Sequence, residues 1–370
     1  MNIAFIISDY NYHGGAKKTA SLAERLKSLG HSVDIIVIRC REGDLQTRPS
    51  NFSNILDLHG SGLFSGIFKL TKIFGHSRYD VYICIGGYSN LSAGLAKFLS
   101  RCSTPIIGSE NFATSILIGN YPKFFFRLLL PLLRLAYAQL NGLMFVSERL
   151  RLEFLKKNSW HPSRCITIYN PVRSFNERLK KHTMYKKKSG LTFLGVGVLE
   201  PRKRFDLLLK SFSIVAKPSD NLLVAGTGSL KHKLESLTKE LGIESQVCFL
   251  GYVDKIESLM KNSDILVLTS NSEAFGMVLA EGLATGMQVV STNSFSGPAE
   301  VLGNGRYGFL ADVDNVSSIV SSMRAAIYSP IPREIIHEGA SRFSLDLITN
   351  KYLEFISAVI ESEGNIYDPI

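Results

Sequence analysis

The chain runs twice through the same cycle of a short apolar run, a loop and a longer amphipathic stretch. In the first series "NIAFIIS" (2–8), "SVDIIVIR" (32–39), "VYICIG" (81–86), "TPIIGS" (104–109) and "GLMFVS" (142–147) read as buried strands. Residues Ala16–Leu29 and Leu91–Arg101 read as helices, the first closed by Gly30 in the manner of a C-cap glycine. Strands that are apolar throughout, alternating with helices, imply a parallel, doubly wound sheet covered on both faces. The cycle resets across residues 165–190, which are polar, basic and weakly periodic, and resumes with "LTFLGVGVL" (191–199), "NLLVAGTG" (221–228), "QVCFLGYV" (246–253), "DILVLTS" (264–270) and "QVVSTN" (288–293). A length of 370 residues suits two such domains. We expect an α/β chain with domains at 1–172 and 173–345, and a C-terminal helix within 346–370 that packs back on the first domain. Ligands of such folds lie beyond the carboxyl ends of the strands, here in an interdomain cleft.

Five cysteines, far apart and without a CxxC pair, argue against a disulfide framework or a zinc site and fit a reducing compartment. "MNIAFIISDY" has no basic n-region and no small-residue cleavage site, so it reads as a first strand instead of a signal peptide. The net charge of +10 is one-sided: residues 1–172 hold 20 Lys and Arg against 10 Asp and Glu, and the remainder is balanced. The first half is therefore expected to meet something anionic. No zinc-finger spacing, basic heptad helix or RNP-type aromatic motif points to nucleic acid, which leaves an anionic membrane or a phosphorylated substrate. "YPKFFFRLLLPLLRLAYAQL" (121–140) is interrupted by Lys123, Arg127, Pro131 and Arg134 and is no membrane span. It reads either as a buried helix with snorkelling arginines or as a segment lying against a membrane interface.

Four stretches carry candidate chemistry. Gly14 and Gly15 open the first helix, where paired glycines admit a close ligand and free N–H groups attract an anion; a plain tight turn explains them equally. In "GVGVLEPRKRFDLLLKSF" (195–212), Arg202, Lys203 and Arg204 crowd a helix start, either as a phosphate site or as a solvated charge run. Gly226 and Gly228 of "VAGTGSL" leave room for a base or ribose, or simply form a βα turn. "NSEAFGMVLAEGLATG" (271–286) places Glu273 in a loop beside the N–H groups of Phe275, Gly276 and Met277, and Glu281 more than a turn into the following helix. Such unequal placement disfavours a symmetrical acid/base pair of the glycosidase kind. It favours two acceptors for sugar hydroxyls, against a bland reading of one capping acid and one surface acid.

Glu273 and Glu281, eight residues apart, resemble the E-x7-E motif of the retaining glycosyltransferases of family 4 (group 1), whose GT-B fold has two facing Rossmann-like domains. The resemblance covers nearly the whole chain in order, through "GGAKKTASLAERLKSLGHSVDIIVI", "LNGLMFVSERLRLEFL", "ITIYNPV", "VGVLEPRKRFDLLLKSFSIV", "LLVAGTGSL", "VCFLGYV" and "EAFGMVLAEGLATGMQVVSTNSFSGPAEVL". It implies a nucleotide-sugar donor, UDP-linked, held mainly by the second domain. Glu281 would take the ribose hydroxyls. Glu273, with the amides of Phe275, Gly276 and Met277, would take the sugar. Lys203 and Arg202 would neutralise the diphosphate, with Gly14 and Gly15 closing on it. No cofactor and no metal is implied, since cations and helix starts supply the positive charge.

The chain also departs from the family pattern. Val198 stands where an arginine is usual, Lys17 where an acid is usual, and Glu110 and Asn111 where a histidine is frequent. Glu110 is thereby a candidate catalytic group toward the sugar or the acceptor. "DVD" (312–314) invites a metal reading, but Asp314 or Asn315 capping the next helix accounts for it better. The expected activity is cytoplasmic transfer of a hexosyl or N-acetylhexosaminyl group to a glycan or lipid-linked acceptor of an envelope polysaccharide (lipopolysaccharide, capsule or O-antigen), at the inner face of the membrane. The rival readings are a sugar-nucleotide epimerase or hydrolase, and a non-catalytic carbohydrate-binding subunit, on the same fold.

Overall fold

The computed structural model describes residues 1–9, 14–39, 55–60, 62–76, 78–111, 123–158, 161–172 and 190–364, with side chains from 18 in the first helix, from 130 in the helix 123–137 and up to 362 in the last. Two compact units result: Met1–Pro171 together with Leu345–Ile370, and Val172–Ser344.

The first unit is built on seven strands: β1 (Asn2–Asp9), β2 (Ser32–Arg39), β3 (Ile55–Asp57), β4 (Val81–Ile85), β5 (Ile106–Glu110), β6 (Gly142–Phe145) and β7 (Cys165–Thr167). They pair in parallel in the order β3-β2-β1-β4-β5-β6-β7. The order turns back beside β1, as in a doubly wound sheet. The three-residue edge strands β3 and β7 lack the apolar run that marks the inner strands. Alternate strand residues feed two faces. Ile3, Phe5, Val33, Ile35 and Ile83 join Leu22 and Leu26 of the helix Gly14–Ser28 and Ile348, Tyr352 and Ile356 of the helix Leu345–Gly364 in one core. The last helix thus belongs to the first unit, where Asp346 also pairs with Arg25 at 2.7 Å.

On the opposite face lie the helices Leu63–Gly75, Gly87–Ser100 and Lys123–Tyr137. Gly66 sits against Ile38, and Phe74 packs on Tyr82 with ring centroids 4.4 Å apart. The second and third of these helices meet at Gly94, where a Cβ would fall 2.1 Å from the backbone oxygen of Ala136. Only glycine permits that approach, despite its cost inside a helix.

The second unit repeats the plan with β8 (Thr192–Val196), β9 (Asn221–Ala225), β10 (Val247–Gly251), β11 (Ile265–Leu268), β13 (Gln288–Thr292) and β15 (Phe309–Ala311), ordered β10-β9-β8-β11-β13-β15 and all parallel. Two short strands outside that sheet, β12 (Ser272–Glu273) and β14 (Phe295–Ser296), pair with each other. Phe193, Leu208, Phe212, Leu222 and Val224 form its core with Ile319 and Met323. Each such side chain contributes roughly 1.5–3 kcal/mol by leaving water. Among the described residues no helix is long and apolar enough to cross a membrane.

Gly94→Ala is predicted to cost about 1–3 kcal/mol by overpacking and to lower the first unit's melting temperature by roughly 2–6 °C in calorimetry. An unchanged melting point would show that the two helices do not meet as closely as described.

Candidate active site

The second unit gathers its polar residues at the carboxyl ends of β8, β9 and β11. After β8 the chain passes Gly197, makes a single 3-10 turn at Pro201–Lys203, and enters the helix Phe205–Val215 through Arg204 in a left-handed conformation (φ +48°). Thr269, just beyond β11 and 3% exposed, holds that turn in place: its Oγ1 donates to the carbonyls of Lys203 (3.2 Å) and Arg204 (2.8 Å). The Asn271 amide donates to the Arg202 carbonyl at 3.0 Å. The loop carrying Glu273 is thereby tied to the loop carrying the cations.

Lys203 lays its stem over Gly197, where a Cβ would meet Lys203 Cε at 3.3 Å, and its Nζ donates to Glu273 Oε1. Both side chains are nearly buried, at 13% and 10% exposure. Arg202 donates from Nη1 to the Ser272 carbonyl at 2.5 Å and lies 3.4 Å from the same Glu273 oxygen. Arg204 turns elsewhere. It binds Asp206 through two contacts of 3.0 and 3.1 Å and pairs with Asp314. Of three cations expected to crowd one place, two share Glu273 and the third serves the fold. Asp314 is thus an arginine partner, and Asn315 caps the helix Val316–Tyr328 by accepting from the Ser318 amide at 3.0 Å. Among the described residues no cluster of three or more His, Cys, Asp or Glu is placed to hold a metal ion.

Glu273 lies in β12, so its backbone is fixed by pairing with Ser296, not left in a free loop. Ser296 pays for that pairing with a strained backbone (φ +92°, ψ −89°), rare for a residue with a Cβ, and its Oγ donates to the Ala274 carbonyl at 3.2 Å. Gly297 closes the arrangement, since a Cβ there would lie 2.2 Å from Phe275 Cα. Phe275 is 2% exposed and meets Phe343 edge-on at 5.3 Å. Gly276, with φ +83°, turns the chain into the helix Met277–Ala284, which carries Glu281 in its second turn.

Gly226 and Gly228 have a packing reason that the sequence does not reveal. A Cβ at Gly226 would fall 1.8 Å from the Gly197 oxygen, and one at Gly228 would fall 2.4 Å from the Leu199 oxygen. The loops after β8 and β9 touch backbone to backbone, joined by bonds from Gly197 to Ala225 (3.0 Å) and from Leu199 to Thr227 (2.8 Å). Val198, between those two contacts, is exposed.

In the first unit Glu110 ends β5 fully inside the protein. Its Oε1 accepts from Tyr137 OH and from Asn90 Nδ2 (2.8 Å). Burial lifts its carboxyl to about 7, and the two donors offset only part of that rise. Gly14 and Gly15 begin the first helix as expected, while the preceding loop and their surroundings lie outside the described residues. Four residues on, Lys18 is 3% exposed, with no hydrogen-bond partner for Nζ among the described residues, and burial lowers its ammonium to about 7. A lysine four positions before the core residue Leu22 is the helical spacing that gives it away in the sequence.

Two family models divide the chain: "Glycosyltransferase Family 4" matches residues 12–174 and "Glycosyl transferases group 1" matches residues 177–343. An uncharacterised glycosyltransferase of Haemophilus influenzae is 30% identical over 337 residues, covering 89% of this chain and 91% of that one. The chain belongs to the group 1 glycosyltransferases. A Campylobacter jejuni α-1,4-N-acetyl-D-galactosaminyltransferase, named for its undecaprenyl-diphosphate-linked acceptor, is 23% identical over 97% of this chain and 99% of its own. The solved structure of Anabaena HepE in complex with UDP superposes with a TM-score of 0.79 at 17% identity, covering 97% of this chain and 100% of that one. That likeness shows the GT-B fold, as the motif resemblance implied. The Lys203–Glu273 group lies in the segment matched by the group 1 model, and Glu110 in the segment matched by the family 4 model.

The raised carboxyl of Glu110 has a pH consequence. Between the ordinary carboxylate range and about 7 the folded state keeps a proton that the unfolded chain has lost. Stability therefore falls as pH rises through that window and stays low above it. Glu110→Gln is predicted to remove this dependence, stabilising the protein at pH 8 by on the order of 1–3 kcal/mol relative to its effect at pH 5. Equal effects at the two pH values, in thermal melts, would contradict a protonated buried Glu110.

Proposed function

We propose that this glycosyltransferase moves a sugar, with retention of configuration, from a UDP-linked donor to a glycan or lipid-linked acceptor in the assembly of an envelope polysaccharide. The observation that carries the reading is the Lys203 ammonium held against Glu273 at the carboxyl edge of the second unit's sheet. An ammonium has three donors, and among the described residues Lys203 Nζ bonds only Glu273. The remaining donors suit the oxygens of a diphosphate, and Arg202 adds a second, more exposed cation.

In the reaction the bond between the anomeric carbon and the diphosphate oxygen breaks while the acceptor hydroxyl bonds to the same face of that carbon. The hydroxyl proton passes to the departing phosphate oxygen, and the nucleoside diphosphate leaves. Lys203 and Arg202 stabilise the charge that develops on the diphosphate, the kind of preorganised electrostatic effect that dominates many enzymes. Glu273, with the helix-start amides of Phe275, Gly276 and Met277, holds the sugar hydroxyls, and Glu281 holds the ribose. Gly14 and Gly15 offer a second helix start to the phosphates. Gly226 and Gly228 keep the neighbouring loops low enough for the nucleotide to approach. These cations and amides need no metal or organic cofactor beside them. Action at the cytoplasmic face of the membrane, with peripheral contact through the basic first half, fits an acceptor on a lipid carrier such as that in the name of the Campylobacter relative.

Incubation with labelled UDP-sugars and a bacterial membrane extract should give a labelled product larger than the sugar, with the donor's anomeric configuration. Release of free sugar or an epimer alone would replace transfer by hydrolysis or epimerisation. Lys203→Ala is expected to lower kcat/KM by roughly 10²–10³-fold. Wild-type activity in that variant would remove the lysine from the mechanism.

A further inference from the structure

The sequence marks Glu110 as a candidate group toward the sugar or the acceptor, but at 1% exposure it is too deep to touch either. What it touches is the framework of the first sheet's carboxyl edge. It ends β5, and its Oε1 accepts from Asn90 in the first turn of the helix Gly87–Ser100 and from Tyr137 at the end of the helix Lys123–Tyr137. A Cβ on Gly87 would lie 3.7 Å from that same oxygen, so the carboxyl sits directly under the helix start. Asn90, also fully buried, ties the turn to the strand by accepting from the Ser109 amide at 3.3 Å. The Gly86 amide adds a bond to the Ser109 carbonyl at 2.9 Å. Asn111, next in the chain and only half-buried, brings this framework to the surface, its Nδ2 3.9 Å from where a Cβ of Gly86 would fall.

The two donors share one oxygen, and neither carries a charge. Among the described residues no cation pairs with the carboxyl and no backbone amide donates to it. Ionised there, Glu110 would be a desolvated charge without a partner, far costlier than a neutral acid with the same two bonds. The charged groups of the surrounding elements are engaged elsewhere or point away. Lys97 of the helix Gly87–Ser100 donates to Asn141, and Tyr88 lies under Arg39. Arg134 of the helix Lys123–Tyr137 is exposed. β4 turns only Tyr82 and the buried thiol of Cys84 to this face, and β6 has no titratable side chain. Behind Tyr137 the helix Glu148–Lys157 stacks Phe154 on its ring at 6.0 Å, and there Glu148 pairs with Arg151 and Glu153 with Lys157. Tyr137 itself stays a phenol, because burial and the adjacent carboxyl raise its ionisation well above the ordinary range.

We infer that Glu110 is a positioning residue of the transfer reaction: its protonated carboxyl fastens the helix start Gly87–Asn90 to the end of β5, and loss of that proton to solvent releases the edge and lowers transfer. That role rests on the transferase reading, because ligands of such sheets lie against the carboxyl ends of the strands. The window follows from the carboxyl's rise to about 7. Below it the edge is fastened, and one pH unit above it about nine-tenths of the molecules carry the buried charge.

Two measurements on the full chain test this role, at pH 6 and pH 8, with the wild type, Glu110→Gln and Glu110→Ala. The first is the rate of sugar transfer at subsaturating donor, which reports kcat/KM. The wild type should lose about fivefold or more between the two pH values relative to Glu110→Gln. The glutamine's neutral amide oxygen accepts the same two bonds, so its rate at pH 6 should match the wild type within about twofold. Glu110→Ala should be about tenfold slower at both pH values. The second is amide hydrogen exchange of residues 86–95, compared between proteins at one pH. Wild type and Glu110→Gln should agree at pH 6, and the wild type should exchange roughly tenfold faster at pH 8, with the sheet strands unchanged. Equal pH profiles in the wild type and Glu110→Gln, or equal exchange at pH 8, overturn the role. So does a Glu110→Ala variant as active and as protected as the wild type. Absence of transfer in all three proteins overturns the transferase reading and this role with it, whereas an exchange difference without a transfer difference overturns the role alone.

Discussion

The contact between Lys203 and Glu273 exists because three backbone segments meet with no side chains between them. Gly197 yields its Cβ space to the lysine stem, Gly226 and Gly228 let the next loop lie directly on the first, and Gly297 lets the strained Ser296 segment press on Phe275. Thr269 then fixes the cation-bearing turn from below through two carbonyls. An ion pair at a water-exposed surface is worth little, and a buried one stabilises only when its geometry is held. Here the surrounding loops hold it, at the cost of glycine entropy and one strained serine, which is the expected pattern where function and stability compete.

Much of this was legible from residue order. Continuous apolar runs gave the inner strands β1, β2, β4, β5 and β6 and their counterparts in the second unit to within a few residues. The edge strands β3 and β7 were not legible, because three residues on a sheet edge carry no periodic signal. In the candidate site, the residue types and their order pointed to Lys203 and Glu273, but not to their mutual contact, which spans 70 residues of sequence. Gly226 and Gly228 looked like room for a ligand, and what they demonstrably provide is room for another backbone. Arg204 looked like a third phosphate cation, whereas its partners Asp206 and Asp314 are visible only once the chain is folded. Thr269 carried no signal at all, since a threonine at a strand end is ordinary.

The first unit stores a different kind of cost. Glu110 and Lys18 are both buried ionisable groups with protonation shifted to about 7, one a carboxyl pushed up and the other an ammonium pushed down. Glu110 is offset in part by Tyr137 and Asn90, and Lys18 by no described partner. Such groups persist more readily where they serve a site than where they serve only packing.

The central claim is that Lys203 grips the diphosphate and Glu273 the sugar of one donor. Titration calorimetry with UDP and with UDP-sugar, on the wild type, Lys203→Met and Glu273→Gln, separates the two roles. Lys203→Met should weaken both ligands by a similar factor, and Glu273→Gln should weaken the UDP-sugar while leaving UDP nearly unchanged. Equal losses for both ligands in both variants, or none in either, would contradict the account.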